Sequence, residues 1–330
     1  MSDFKQTKDL VSIITPCYNG GGYVHRLLDS VLGQDYPAIE MIVVDDGSTD
    51  KTKEVIESYI PKFEAKGYTL RYVYQENAGQ AAAANNALKY VSGEYMIWPD
   101  SDDYFALAST ISKFVDCFKK LSDDYGIVRC YANNVSDETN ELLGVRKYNI
   151  KKEKIFEEYF TGKESIAVAG LTMIRMSAFD KANPQREIYT GDHPQNWQLF
   201  LPVAYQYKHY TIEEPLHNIV IRTSSHSHST ERPYSKHIAG FEGYLRILEH
   251  TIGNIDMPAD EKKRYLTLAR QHNAFEKLTY ALNYYQKADS IRFSKEYTSN
   301  GGVLTMQKKV KIALLSIHPC MLRLFNLIKR

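Results

Sequence analysis

The chain has 330 residues, a net charge of +1, 43% hydrophobic residues and 25% charged residues. This length allows one large globular domain with an appendage, and the near-neutral charge excludes a global field that would attract nucleic acid. The four cysteines (Cys17, Cys117, Cys130 and Cys320) include no CxxC pair, which argues against a zinc knuckle or a disulfide framework. The first residues contain no secretory signal, and no apolar run is long enough to span a membrane. We therefore expect a cytoplasmic protein.

The first hundred residues alternate between strand and helix patterns. β-Branched and apolar runs predict strands at residues 10–19, 38–50, 70–77 and 94–100. Apolar residues at helical spacing predict helices at 22–34, from Asp50 onward with that aspartate as the N-cap, and at 78–91. This alternation predicts an α/β fold of βαβ units with a largely parallel sheet.

The rest of the chain divides near residue 230. Further elements are predicted as a strand at 126–137, a strand leading into a helix at 166–180, and a helix, a turn and a short strand at 192–222. The polar segment SSHSHSTERP contains Pro233 and indicates a loop, and the pattern after residue 236 is helical. We therefore predict a first domain at 1–230 and a helical region at 231–330.

Polar side chains follow each of the four N-terminal strands. They lie at Thr15–Asn19, Asp45–Ser48, Asn77–Gln80 and Asp100–Asp103. Because ligands bind at the carboxyl ends of the strands in open α/β sheets, we expect these segments to form one site. Carboxylates repel one another, so three within four positions of EYMIWPDSDDYF need an explanation. The cluster either binds a cation or caps a helix that begins near Tyr104.

The ordered segments VSIITPCYNG, IVVDDGSTD, NAGQAAAANNAL, GEYMIWPDSDD, NWQLFL and YTIEEPL resemble those of glycosyltransferase family 2. The resemblance covers about residues 10–230, and the order and spacing of the motifs make it specific. It implies a catalytic domain of the GT-A fold, with a Rossmann-like, mixed and largely parallel sheet. It also implies an inverting transfer of a sugar from a nucleotide-diphosphate donor, assisted by a divalent cation, Mn²⁺ or Mg²⁺.

By this resemblance, the acidic cluster holds the cation. Asp102 binds the ion, Asp100 contacts the ion, its waters or the donor ribose, and Asp103 is a neighbour of less certain role. The reaction needs such a site because the nucleoside diphosphate leaves with negative charge, which a hard cation on oxygen ligands stabilises. In the segment RTSSHSHST, His226 and His228 are further candidate ligands of the metal or the phosphate, although histidines are common in exposed loops.

The resemblance also places the donor's base at the ends of the first two strands. Asp46 accepts the N–H of a uracil-like ring, which favours a UDP-sugar, while Asp45 supports the loop. The residues that frame the base are Thr15, Pro16 and Tyr18. Ordinary turns explain both segments as well, since Asp-Gly is common in turns. The other substrate-binding candidates are Asn77, Gln80, Asn85, Ser101, Gln195, Arg222 and Trp197, the last of which also fits a core position of its helix.

Two positions depart from the family pattern. Ala84 stands where many relatives carry an arginine aimed at the diphosphate, so a bidentate cation is missing. The segment QNWQ places Gln195 and Asn196 where relatives commonly read Glu-Asp-Trp, and an amide cannot take the acceptor's proton. The catalytic candidates are therefore Asp192 as the base and Asn196 as a ligand of acceptor hydroxyls. His193 is an alternative base, and the enzyme could also lack a conventional one.

Residues 303–330 form a basic amphipathic tail. After Glu296 the chain has no acidic residue, and basic and apolar side chains interleave. This composition suits peripheral contact with the anionic inner face of the cell membrane. It also suits packing on the domain or on a second copy of the chain, so membrane contact and homo-oligomerisation both stay open.

These observations predict a hexosyl- or N-acetylhexosaminyl-transferase that acts on a glycan or a lipid-linked acceptor in cell-surface polysaccharide biosynthesis. Ala84 and Asn196 favour an alternative, a nucleotide-sugar-binding protein without transfer activity. A sugar nucleotidyltransferase is a second alternative, since it shares a βαβ sheet and acidic metal sites. It would normally carry a glycine-rich, basic phosphate loop, of which NGGGYVHR with its single Arg26 is only a faint version.

Overall fold

The computed structural model describes residues 5–148, 152–161, 169–191, 196–222 and 233–328. Within these residues the chain forms two compact units. The sheet unit contains the described strands and the helices between them, and the helical unit contains the helices that follow residue 233. The predicted boundary near residue 230 lies outside the described residues.

The sheet unit is a mixed α/β structure. Its described strands are β1 (Thr7–Cys17), β2 (Ile39–Asp46), β3 (Thr69–Gln75), β4 (Gly93–Ile97), β5 (Tyr104–Phe105), β6 (Tyr125–Ser136), β7 (Leu142–Arg146), β8 (Thr172–Arg175) and β9 (Lys208–Ile221). Its described helices are α1 (Val24–Leu32), α2 (Thr52–Ala65), α3 (Gln80–Leu88), α4 (Thr110–Lys120), α5 (Phe156–Thr161), α6 (Met176–Ala182) and α7 (Asn196–Gln206).

The strands form one sheet in the order β3-β2-β1-β4-β8-β6-β9-β5, and β7 pairs with β6. Strands β1 to β4 are parallel to one another, and β8 is antiparallel to both β4 and β6. Strand β9 runs parallel to β6. The structure thus confirms the predicted mixed, largely parallel sheet, and it places the carboxyl ends of β1, β2 and β4 at one edge.

Apolar side chains on both faces of β1 and β2 explain why these strands are central. Strand β2 is buried at every position but one, and helix α1 covers one face with Val24, Leu27, Leu28 and Val31 at helical spacing. Each such side chain contributes about 1.5–3 kcal/mol when it is fully removed from water. Buried parallel strands of this kind can only end at polar loops, which is where the site residues lie.

The structure corrects two details of the sequence reading. Residues near Tyr104 form strand β5, which pairs with β9, and the next helix begins only at Thr110, so the aspartate cluster does not cap a helix there. The reason is that the Asp103 carboxylate accepts the Val220 N–H at 2.8 Å and fastens the segment to β9. Strand β9 itself has 14 residues and is not short, because it pairs along its length with β6.

The helical unit contains α8 (Tyr234–Asn254), α9 (Ala259–Asn283), α10 (Lys287–Ser299), α11 (Met306–Ile317) and α12 (Pro319–Ile328). Its core includes Leu278, Leu282 and Phe293, with Leu315 of α11 and Leu322 of α12 packed against them. The tail is therefore partly integrated into this unit. No helix in the described part of the chain is long and apolar enough to cross a membrane.

Candidate active site

Side-chain hydrogen bonds connect the loops at the carboxyl ends of β1, β2 and β4. Thr15 is fully buried, and its hydroxyl donates to the Pro99 carbonyl at 3.2 Å, which joins the ends of β1 and β4. The Asn19 N–H donates to the Ser48 hydroxyl at 2.8 Å, and the Asn19 amide oxygen accepts the Thr49 N–H at 2.9 Å. These bonds hold the three loops in one arrangement.

Asp45 supports the loop after β2. Its buried carboxylate accepts the Ser48 N–H at 2.9 Å and the Tyr72 hydroxyl at 2.7 Å. Burial, and then this bond to Asp45, raise the pKa of Tyr72, so the phenol stays a neutral donor. The geometry is that of a structural acceptor within the loop.

Asp46 fastens the loop after β3. Its carboxylate accepts hydrogen bonds from the Gln75 amide at 2.8 Å, the Ala78 N–H at 2.8 Å and the Gly79 N–H at 2.9 Å. At Gly47, which has φ +78°, an added Cβ would lie 2.7 Å from a backbone nitrogen of that loop, so only glycine fits the close approach. A carboxylate has about four acceptor positions, so the bonds within the described residues leave one position of Asp46 unused.

Helix α3 connects the loop after β3 to the acidic cluster. The Gln80 amide donates to Asp100 at 3.2 Å. Asn85 exchanges two hydrogen bonds with the backbone of Ile188, at 2.8 and 2.9 Å, so both of its amide atoms serve the fold. Asn77 is exposed at the start of the same loop. Of these three candidates, Gln80 is the one that contacts the acidic cluster.

Asp100 and Asp102 lie in an environment that disfavours two negative charges. Burial, followed by the charges of Asp103 and Asp102, raises the pKa of Asp100 to about 7. Burial and then Asp103 also raise the pKa of Asp102, whereas Arg222 and Arg26 act in the opposite direction. A hard divalent cation on these carboxylate oxygens would relieve the repulsion, so the residues fit Mg²⁺ or Mn²⁺.

Asp103 has a structural position. Its carboxylate is nearly buried, one oxygen accepts the Val220 N–H, and the other lies 3.6 Å from Nε2 of His217. The described residues contain no group of three His, Cys, Asp or Glu side chains placed to hold a metal. The candidate ligands His226 and His228 lie outside the described residues.

Two arginines that share one carboxylate stand beside the acidic cluster. Arg222 lies 3.3 Å from Asp102 and 3.1 Å from Asp137, and Arg26 lies 2.7 Å from Asp137. Burial alone would raise the pKa of Asp137, but the bonds to Arg26 and Arg222 outweigh it and lower the pKa. Within the described part of the chain, Nη2 of Arg222 and Nε of Arg26 are buried without a hydrogen-bond partner.

The sequence motifs indicated Arg222 but not Asp137, and they gave Arg26 no role in this site. Asp137 directly follows β6, whose carboxyl end lies at the same edge of the sheet, and that position was the available signal. Ala84, by contrast, is fully buried on α3, so no charged group reaches the site from this position. The two arginines are the cations that the described part of the site provides.

The remaining candidates differ in how much of them the structure describes. Pro16 is buried within β1 opposite Val44, Tyr18 is 50% exposed beyond the strand, and Ser101 is half-buried in the acidic loop. Asn196 and Trp197 begin α7 and are both half-buried, so Trp197 is neither a fully buried core residue nor a fully exposed platform. The candidates Asp192, His193 and Gln195 lie outside the described residues.

This sheet order, with acidic loops at the carboxyl ends of its first strands, defines a glycosyltransferase of the GT-A class. The fold is similar to that of S. aureus TarS 1–349, with a TM-score of 0.65 and 16% sequence identity over 96% of this chain and 91% of that one. It is also similar to the mannosyltransferase PcManGT of Pyrobaculum calidifontis, with a TM-score of 0.53 and 17% identity over 100% of this chain and 91% of that one. At these identities the likeness shows the fold.

Sequence relatives identify the family. An uncharacterized glycosyltransferase of Rickettsia typhi is 30% identical over 251 residues, 72% of this chain and 72% of the relative. A Bacillus subtilis glycosyltransferase named for teichuronic acid biosynthesis, TuaG, is 44% identical over 97 residues, 29% of this chain and 37% of the relative. The family model described as glycosyl transferase family 2 matches residues 12–182. The chain therefore belongs to glycosyltransferase family 2, as the sequence motifs predicted.

Proposed function

We propose that this glycosyltransferase moves a hexosyl or N-acetylhexosaminyl group from a UDP-sugar to a glycan or lipid-linked acceptor of the cell surface, with inversion and with a divalent cation. The observation that carries the proposal is the pairing, at one sheet edge, of a partly satisfied Asp46 with the acidic pair Asp100 and Asp102. Asp46 has an acceptor position left for the N–H of uracil, and the acidic pair offers oxygen ligands whose mutual repulsion a bound metal would relieve.

The similar structures support a nucleotide-sugar donor. TarS was solved in complexes with UDP-GlcNAc and with UDP, and PcManGT with GDP-Man and Mn²⁺. The name of TuaG refers to teichuronic acid biosynthesis, which favours a cell-surface polysaccharide as the product. These comparisons support the class of donor and product, while the uracil base is inferred from Asp46.

Asp102 and Asp100 would hold the metal, with His226 or His228 as further ligands. When bound, the cation acts as a Lewis acid that neutralises charge on the leaving diphosphate. Arg222 already touches Asp102, and Asp137 orients it together with Arg26. We assign to this arginine pair the bidentate diphosphate contact that Ala84 does not supply.

The acceptor hydroxyl must lose a proton as it attacks the anomeric carbon. Asp192 is the proposed base, since it is the nearest carboxylate in sequence to the acceptor motif. Asn196, at the first turn of α7, is proposed to bind an acceptor hydroxyl through its amide. His193 is the alternative base, and transfer without a conventional base is a further possibility. A protein that binds nucleotide-sugars without transferring them is the second candidate function, favoured by Ala84 and Asn196.

The tail supports peripheral contact with an anionic membrane. Val303, Met306 and Ile317 are 81%, 77% and 72% exposed, although Leu315 of the same region is buried in the helical unit. Exposed apolar side chains next to lysines are the composition of a helix that lies on a lipid surface. We propose this contact at the inner face of the cell membrane.

The proposed function is tested by measuring UDP binding and UDP release for the wild type, Asp102→Asn and the exposed control Asp116→Asn on α4. We expect UDP-sugars to raise the melting temperature of the wild type only with Mn²⁺, and Asp102→Asn to lose both this shift and turnover. Tight UDP binding without turnover on any acceptor would support the binding protein, and release of pyrophosphate would support a nucleotidyltransferase. Full activity of Asp102→Asn in a chelator would overturn the proposal.

A further inference from the structure

Strand β6 carries an arginine that the donor site does not use. Arg129 is fully buried, and its neighbours Val128 and Cys130 belong to the large hydrophobic cluster, so strand alternation directs Arg129 to the other face of the sheet. Its Nε donates to the Thr211 hydroxyl at 2.8 Å, but Nη1 and Nη2 have no hydrogen-bond partner among the residues that the structure describes. The described residues give this guanidinium no ion pair.

Two tyrosine hydroxyls near this guanidinium also lack an acceptor. The Tyr148 ring lies 4.5 Å from Cζ of Arg129, and the buried hydroxyls of Tyr148 and Tyr159 find no acceptor among the described residues, although Thr172 bonds the Tyr159 oxygen. Burial raises the pKa of Tyr159 to about 12, with Arg129 acting in the opposite direction, so the phenol is a neutral donor. Four buried polar atoms on three neighbouring side chains thus await an acceptor.

Within the described residues, the nearby carboxylates Glu158 and Glu153 act on His209 and ion-pair with lysines, and neither pairs with Arg129. His209 bonds the Glu153 carbonyl and the Thr211 hydroxyl, and burial, followed by the charge of Arg129, lowers the pKa of His209 to about 4. The imidazole is therefore neutral at physiological pH and cannot offset the guanidinium. A buried charge that keeps no counter-charge destabilises the fold, and such a group is retained only where something else neutralises it.

A second buried arginine in the same unit has hydrogen-bond acceptors for its guanidinium group. Arg186 forms two bonds to the Asp180 carboxylate, at 2.6 and 3.0 Å, and donates to the Val91 carbonyl at 2.7 Å. Arg129 has the same burial and none of these acceptors. The two Nη atoms of Arg129 remain as a planar pair of donors, which is the geometry that binds a carboxylate or a phosphate.

We propose that Arg129, Tyr148 and Tyr159 form a closed binding site for one oxyanion, a phosphate or a carboxylate, separate from the donor site. Water could complete the hydrogen bonds, but it would leave the charge uncompensated. The Tyr159 ring stacks on Phe200, one turn along α7 from Asn196, so the site lies beside the helix that opens with the acceptor motif. The anion comes either from the free pool in the cell or from an acidic acceptor, and the second source rests on the proposed function.

The matched pair Arg129→Met and Arg186→Met tests this site through stability. After unfolding and refolding in oxyanion-free chloride buffer, we expect Arg129→Met to melt at or above the wild type, because an unpaired charge is removed, and Arg186→Met to melt well below it. Inorganic phosphate or acetate, compared with chloride at equal ionic strength, should raise the melting temperature of the wild type and of Arg186→Met but not that of Arg129→Met. Tyr148→Phe and Tyr159→Phe should reduce this response while keeping the fold.

Ion chromatography of the desalted, denatured wild type should also show close to one mole of oxyanion per mole of protein if the closed site retains its ligand. The proposal is overturned if no anion is released and phosphate and acetate shift all variants equally. It is also overturned if Arg129→Met loses as much stability as Arg186→Met, which would make Arg129 a structural partner of Tyr148.

Turnover measurements distinguish the two sources of the bound oxyanion, a free anion and an acidic acceptor. If an acidic acceptor fills the site, phosphate competes with the acceptor in the wild type and not in Arg129→Met. If a free anion fills it, phosphate leaves the acceptor KM unchanged. Loss of donor turnover in every variant, with the phosphate response intact, would contradict the proposed function and leave this site standing.

Discussion

The two halves of the sheet treat their polar side chains differently. In the donor half, β1 to β4, the strand-end groups Thr15, Asp45 and Asp46 have protein partners, and Asp46 keeps a single position for a ligand. In the other half, β5 to β9, the described contacts leave three buried guanidinium nitrogens of Arg129 and Arg222 without partners, against one nitrogen each of Arg26 and Trp98 beside β1 to β4. The difference is that the strand-end carboxylates are satisfied within the protein, whereas the buried arginines still need acceptors.

The largest expected effect is the loss of UDP affinity on substitution of Asp46 in the donor half. In Asp46→Asn the amide NH₂ faces N–H donors that the carboxylate accepted, so we expect UDP affinity to fall about 100-fold, or ~2.7 kcal/mol, with a lower melting temperature. Isothermal titration with UDP and Mn²⁺ measures it. Asp45→Asn is the matched control, which should lose stability but keep UDP affinity. Equal UDP affinity in both variants would contradict the assignment of Asp46.

The next effect concerns the second half and depends on pH. The pKa of His209 is lowered to about 4, so the unfolded chain binds more protons than the folded one between this value and the usual pKa near 6.5. The stability due to neutral His209 is therefore present at pH 7 and is lost as the pH falls. We expect the free energy of unfolding to fall by about 2 kcal/mol between pH 7 and pH 5. Urea unfolding of the wild type and His209→Gln checks this, and an identical slope for both proteins would refute it.

A smaller effect is expected where the two halves meet at the arginine pair. In Asp137→Asn, Arg222 keeps only Asp102 as a carboxylate partner and competes with the metal there. We expect the Mn²⁺ concentration for half-maximal activity to rise about tenfold, which corresponds to ~1.4 kcal/mol. Asp123→Asn, at a fully exposed carboxylate, is the control. An unchanged Mn²⁺ requirement would remove Asp137 from the site.

The smallest expected effect is a loss of stability that concerns the donor half alone. Thr15→Val keeps the shape of the side chain but removes the hydrogen bond to Pro99. We expect a loss of about 1 kcal/mol in the free energy of unfolding, measured in urea, while Thr69→Val on the exposed side of β3 changes little. A larger loss in Thr69→Val than in Thr15→Val would show that the Thr15 hydrogen bond does not hold β1 to β4.

The strands of the donor half could be predicted because each one is indicated by residues that lie close together in the sequence. Apolar runs that end in polar residues fixed the strands and brought Asp46 and Asp102 to one edge. The second half could not be predicted in the same way, because its key bonds join distant positions. Asp103 and Val220 are 117 residues apart, and Arg26 and Asp137 are 111 apart. A helix was therefore expected near Tyr104 where pairing with β9 produces a strand.

The three hydrogen bonds that the Asp46 carboxylate accepts limit how the nucleotide preference of this enzyme can change by mutation. Because the same oxygens fasten the loop at residues 75–79 and are proposed to bind the base, we expect no substitution at this position to alter base preference alone. A descendant that accepts a different base would first need new acceptors for two backbone N–H groups and the Gln75 amide. A mutation that changes nucleotide preference here also removes hydrogen bonds that the fold needs. We therefore expect nucleotide preference to change more slowly in evolution than the choice of sugar or acceptor.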